Sequence, residues 1–164
     1  MSMVVLDKLH NQKGAALIEF AIILPLLMLL VIGVVEFGFA FYHLDILNKS
    51  VQDGARYFAD PKQARNGVID DAIDVTGSNQ DNVDATTNLI IYGSTDASTD
   101  SLLPNVANYT PVPSITTDAT YTDHIFVTAS YDHQLILGGL LSNLTNGTVP
   151  ATMTLTASTA MRVE

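Results

Sequence analysis

Residues 15–35 read AALIEFAIILPLLMLLVIGVV, an apolar run interrupted by the single charge of Glu19. As an α-helix this run spans about 31 Å, close to the hydrocarbon thickness of a bilayer, and its length argues against the core helix of a small soluble domain. It reads as a transmembrane segment. The charge-free part, residues 20–35, also overlaps the apolar region of a secretory signal, and Gly38-Phe39-Ala40 offers small residues for cleavage after Ala40. Glu36 ahead of that bond, and Phe39 and Phe41 around it, weigh against cleavage there.

Basic residues set membrane orientation, since segments rich in Lys and Arg stay cytoplasmic. Lys8 and Lys13 precede the run, while Lys49 and Arg56 follow it, so the local count is nearly a tie. The remainder of the chain breaks it: between Asn66 and Met161 there is no Lys or Arg, but there are ten Asp. The N-terminus is therefore expected in the cytoplasm and the rest of the chain outside it. The formal charge of −10, from 17 acidic against 7 basic residues, excludes a nonspecific grip on nucleic-acid phosphates. The absence of Cys removes thiolate metal sites, disulfides and cysteine nucleophiles.

Beyond the run, Phe37, Phe41, Leu44, Leu47, Val51, Ala55 and Phe58 recur at three- and four-residue intervals, which predicts that the helix continues as an amphipathic stem. Asp60-Pro61 ends it, because a residue before proline is pushed out of the α region. One helix over residues 15–59 results, with Gly54 a weak point costing about 1 kcal/mol relative to Ala. After it, residues 77–88 and 93–114 read as polar loops. Leu89-Ile90-Ile91-Tyr92 reads as a short strand, and alternation predicts two longer ones over 121–131 and 151–163. The first long strand turns Tyr121, Ile125, Val127, Ala129 and Tyr131 inward, and the second Ala151, Met153, Leu155, Ala157, Thr159 and Met161. Three strands packed on the stem make an α+β fold with a small antiparallel head. Residues 135–144, which contain Gly138-Gly139, are an apolar connection without an assignment.

An acid within a membrane helix costs a few kcal/mol or more, so Glu19 needs a reason. One reason is its place a turn from the helix start, where the interface and the helix dipole favour it. The sharper one is proteolytic: cleavage after Gly14 frees the amino group of Ala15, and Glu19 pairs with that ammonium on a neighbouring subunit, setting the register between helices. Pro25 removes a backbone donor and either kinks the helix for packing or is simply tolerated. Glu36 reads as a solvated charge at the outer interface, with pairing to a partner's stem the alternative. Asp53 and Arg56, three apart, read as a surface pair worth about 0.2–0.5 kcal/mol or as a subunit contact. His10, His43, His124 and His133 lack zinc-site spacing and are expected at solvent or boundary positions. Asp70, Asp71 and Asp74, and Asp81 with Asp84, do not form a calcium loop. No nucleophile elbow, phosphate-binding loop or dinucleotide glycine motif is present. No catalytic residue, cofactor or metal is expected, and the chain is read as a non-enzyme.

Taken together, KGAALIEFAIILPLLMLLVIGVVEFGFAFY, VQDGARYFA and the terminal TASTAMRVE resemble the TadE-like proteins, minor pilin-like components (pseudopilins) of the bacterial tight-adherence or Flp pilus. The resemblance covers residues 13–59 and returns over 131–164. It implies an inner-membrane precursor with its N-terminus inside, cut between Gly14 and Ala15 by a prepilin peptidase, that takes part in pilus assembly. Major pilins of this system are shorter and typically carry tyrosine after the glutamate; Phe20 stands there instead and favours the minor component. The expected organisation is a cytoplasmic leader over 1–14, a transmembrane helix over 15–35, a stem over 36–60 and a periplasmic head over 61–164, which assembly could carry to the pilus or cell surface. Expected partners are membrane lipid, the prepilin peptidase and other pilin-like subunits with their assembly machinery. Gly14 and Ala15 form the processing site, and Glu19, Phe20, Pro25, Glu36, Asp53 and Arg56 the assembly positions. Two rivals remain: an unprocessed single-pass envelope protein whose acidic head binds a ligand or partner, and an envelope hydrolase.

Overall fold

The structure, a computed structural model, describes residues 3–60, 80–97, 100–108, 113–117 and 124–162. It is α+β, with the element order α1 (Met3–Ala59), α2 (Gln80–Tyr92), β1 (Ser114–Thr117), β2 (His124–Gln134), α3 (Ile136–Leu144) and β3 (Thr152–Arg162). The chain divides into two compact units, Met1–Gly38 and Phe39–Glu164, and α1 runs through the division.

In the first unit the apolar run is helical, and most of its large side chains are exposed, Leu17 by 70% and Leu26 by 69%. Such exposure in water would forfeit most of the hydrophobic gain of a small domain, so this segment belongs in lipid or against other protein. By length and composition α1 is able to cross a membrane, compatible with a single-pass membrane protein.

The second unit holds the core. Leu47, Val51, Ala55 and Phe58 of α1 join Ile90 and Ile91 of α2, Leu103, Ile115 of β1, Ile125, Val127, Ala129 and Tyr131 of β2, and Leu155 and Ala157 of β3. The sheet order is β1-β2-β3, both pairs antiparallel, with Ile115 opposite Val127, Ala129 opposite Ala157 and Tyr131 opposite Leu155. The inward faces of β2 and β3 are those that the alternation predicts; Tyr121 and Thr122 lie outside the described residues. The stem stripe holds only in part. Phe37 and Phe41 are exposed, while Ala40, Ser50 and Gly54 are buried alongside Leu47, Val51, Ala55 and Phe58. Phe41 sits one residue from Ala40, about 100° around the helix and off the buried row.

Sequence-based expectations fail here. Leu89 to Tyr92, read as a strand, is the last turn of α2, which begins at Gln80 within the stretch 77–88 read as loop, and the third strand is β1, which starts at the end of the second loop stretch and runs through residues that carried no assignment. β-branched, apolar LIIY carries strand propensity, but Thr86 and Ile90 recur at helical spacing and settle over Gly54, where tertiary contact outweighs local preference. A Cβ on Gly54 would stand 2.7 Å from Cγ1 of Ile90 and 3.4 Å from Cγ2 of Thr86. The residue that weakens the isolated helix is thus the one that lets α2 dock. The helix closes at Gly93, whose φ of +73° favours glycine and whose N–H donates to the Leu89 carbonyl at 2.9 Å. The unassigned stretch 135–144 is α3. Its Gly138 is buried where a Cβ would lie 2.8 Å from the Pro150 carbonyl, so glycine permits α3 to lie against the approach to β3.

Candidate functional site

Two regions carry the residues singled out for function. The first is the start of the apolar run, which lies inside α1: the helix already begins at Met3, so Glu19 is not one turn from its start. Gly14, Ala15, Glu19 and Phe20 are all helical and exposed. A Cβ on Gly14 would meet nothing within 4 Å among the described residues, so packing against them does not call for glycine there. Helix propensity even disfavours it by about 1 kcal/mol relative to Ala. Pro25 sits inside α1 without ending it. Its ring deprives the Ala21 carbonyl of the usual donor, a loss that lipid cannot make good and an adjacent protein or a local distortion can.

Glu36 departs from expectation. It is 8% exposed, not a solvated boundary charge, and it has an interaction partner. A buried carboxylate is stable only when its charge is met by hydrogen bonds or counter-charge. Asp53 and Arg56 are exposed on the stem's outer face, where the ion pair is formed instead by Lys49 and Asp45 at 2.6 Å. Their i, i+4 spacing and exposure make that pair a small contributor to stability. Asp45 also holds the Lys49 ammonium above its ordinary pKa, through a hydrogen bond first and charge second.

The second region is one that residue spacing did not reveal. His43 of α1 and His133 of β2, 90 positions apart, stand with their Nδ1 atoms 3.0 Å from one another. The ring centroids are 4.8 Å apart with planes at 74°. His133 is buried, being 7% exposed, and His43 is half-buried. Tyr131 packs edge-on to His43 at 5.7 Å and donates its hydroxyl to the Pro104 carbonyl at 2.7 Å, so it braces the site. An open pocket of about 180 Å³ lies here, lined also by Asn105, Asn108 and Gln134. The two imidazoles were expected at solvent or boundary positions. The signal that could have found them is the i, i+4 offset of His43 from Leu47 on the buried row, combined with the inward parity of His133, two residues past Tyr131 in β2.

At 3.0 Å both rings cannot be cationic without strong repulsion; one Nδ1 donates and the other accepts. Burial, and then the charge of His133, lower the pKa of His43 from 6.5. Above pH 6.5 folded and unfolded chains are both neutral at this residue. As pH falls below 6.5 the unfolded chain takes the proton first, so stability is lost until the pH passes the folded value. Groups facing His43 are His133 and Tyr131 from β2 and Tyr42 from its own helix. The unfolding midpoint of the detergent-solubilised chain, in EDTA, is expected to fall between pH 7.5 and 5, and His133→Gln is expected to flatten that slope. An identical slope in the variant would exclude the pair as its source.

Among the described residues no group of three or more His, Cys, Asp or Glu could hold a metal ion. Asp70, Asp71 and Asp74 lie outside the described residues; Asp81 and Asp84 are exposed on α2.

Comparison with known proteins places the first region in a family context. The model of the TadE-like protein family matches residues 14–56, the family that the sequence motifs resemble. The match begins at Gly14 and takes in Glu19, Phe20, Pro25, Glu36, Asp53 and Arg56. No curated protein and no solved structure matches the chain.

Proposed function

We propose that this chain is a minor pilin-like, or pseudopilin, component of a tight-adherence pilus, cut by a prepilin peptidase between Gly14 and Ala15 and acting in assembly without an enzymatic activity of its own. The observation that carries the reading is an exposed apolar helix with one acid, Glu19, five residues after an unpacked glycine, inside the segment that matches the family. Lipid satisfies the apolar surface before assembly, and neighbouring helices replace lipid afterwards. Two demands remain that lipid does not meet. The Glu19 carboxylate needs a cation, which the freed ammonium of Ala15 on an adjacent subunit supplies, and the carbonyl released by Pro25 needs a donor. The inner membrane holds the precursor with its N-terminus in the cytoplasm and its acidic head in the periplasm.

N-terminal sequencing and intact mass of the protein from its native cells test the reading. A chain that begins at Ala15 agrees with it. One that begins at Met1 favours the unprocessed envelope protein with a partner-binding head, and one that begins at Phe41 favours a secreted domain. Glu19→Leu is expected to insert and be processed normally while pilus assembly falls at least ~10-fold, the scale of about 1.4 kcal/mol or more lost at each contact. Unchanged piliation in cells carrying it would remove the pairing role.

A further inference from the structure

We propose that His43 and His133 form a two-imidazole site for a divalent transition-metal ion that prefers tetragonal geometry, Cu2+ or Ni2+, clamping the stem helix to β2. Two nitrogens 3.0 Å apart subtend an angle of about 90° at a cation with bonds of about 2.1 Å. That is the angle between adjacent ligands in a square-planar or octahedral site, and it is narrower than the tetrahedral angle of zinc. Ring placement supports the same conclusion. Rings aimed straight at each other along the Nδ1–Nδ1 line would have centroids about 5.3 Å apart, whereas rings converging on a shared cation would have them about 4.6 Å apart. The observed 4.8 Å is close to the convergent value.

The surroundings suit the chemistry. Ligation needs neutral imidazole, and the environment that disfavours protonation of His43 keeps it neutral near pH 7. On binding, the proton shared between the two Nδ1 atoms moves to Nε2 of the donor ring; both nitrogens then present lone pairs and no proton need leave the protein. The adjoining pocket, with the amides of Asn105, Asn108 and Gln134, has room for the water ligands that complete the coordination. His43 and His133 are brought together only in the folded chain, so the ion binds the native state and stabilises it.

The test uses the full chain in detergent, stripped with EDTA and titrated with CuCl2, NiCl2 and ZnCl2. Expected are one equivalent of Cu2+ or Ni2+ bound, weaker zinc, and a rise in thermal midpoint with bound metal. His43→Gln and His133→Gln are each expected to weaken binding at least ~10-fold, while His10→Gln and His124→Gln leave it unchanged. Electron paramagnetic resonance of the Cu2+ form needs no variant: coupling to two nitrogens supports the site. Coupling to one or none, stoichiometric binding that survives the His43→Gln/His133→Gln double substitution, or no saturable binding at all overturns it.

Discussion

Gly14→Arg is expected to leave the chain unprocessed, so that the protein recovered from its native cells is heavier than the wild type by the fourteen leader residues. The argument is one of space and context. Among the described residues nothing stands within 4 Å of where a Cβ would be, so the substitution meets no steric conflict there. Arginine is also a better helix former than glycine, by close to 1 kcal/mol. The chain therefore folds and inserts as before, and any effect must arise in whatever contacts Gly14 from outside. A peptidase that draws the Gly14–Ala15 bond into its active site has to accommodate the side chain at that position, and a long cationic one adjacent to the membrane surface is excluded by size and by burial of charge. Near-complete loss of cleavage, read by intact mass with membrane insertion as the control, is the expected outcome. Cleavage at the wild-type rate would mean that glycine at this position is not read by an enzyme.

Gly54→Val is expected to destabilise the second unit by forcing α2 away from α1. The added Cβ would stand 2.7 Å from Cγ1 and 3.0 Å from Cδ1 of Ile90, whose own side chain is fully buried and has little room to withdraw. Overpacking of this kind costs about 1–3 kcal/mol, partly offset by a gain in helix propensity of a few tenths. Set against a total of about 5–15 kcal/mol for a domain, the loss is severe. Ile90→Ala removes the colliding atoms, so the double variant is expected to lose less than the sum of the two single losses. A coupling of about 0.5–3 kcal/mol, measured by urea unfolding of the detergent-solubilised chain, would place the two side chains in contact. Additive losses would place α2 elsewhere.

The two glycines show opposite sides of the same principle. Gly14 has no reason to be glycine among the described residues, and Gly54 has one that the helix containing it cannot reveal. In isolation each reads as a defect in a helix. Only the coordinates of Ile90 and Thr86 turn Gly54 into a docking surface, and only their absence around Gly14 directs attention to an external partner.

Much of the remaining architecture was legible along the chain because it depends on periodicity. An apolar run of membrane length, a helix that ends at Ala59 before Pro61, and two strands with alternating faces follow from spacings of 3.6 and 2 residues and from proline sterics. The segment that carries Glu19 and Pro25 was equally legible, since a charge and a missing donor in an apolar helix are costly wherever the rest of the chain lies. What sequence could not decide depends on contacts between distant residues. Leu89 to Tyr92 has the composition of a strand and becomes helix because Gly54 offers it a groove. Glu36 looks like a boundary charge and is buried. His43 and His133 are separated by 90 positions and acquire a shared chemistry only when α1 and β2 pack together around Tyr131. Local periodicity sets which face a residue presents; the free energy of filling space, and of pairing each buried polar group, decides which residue it meets.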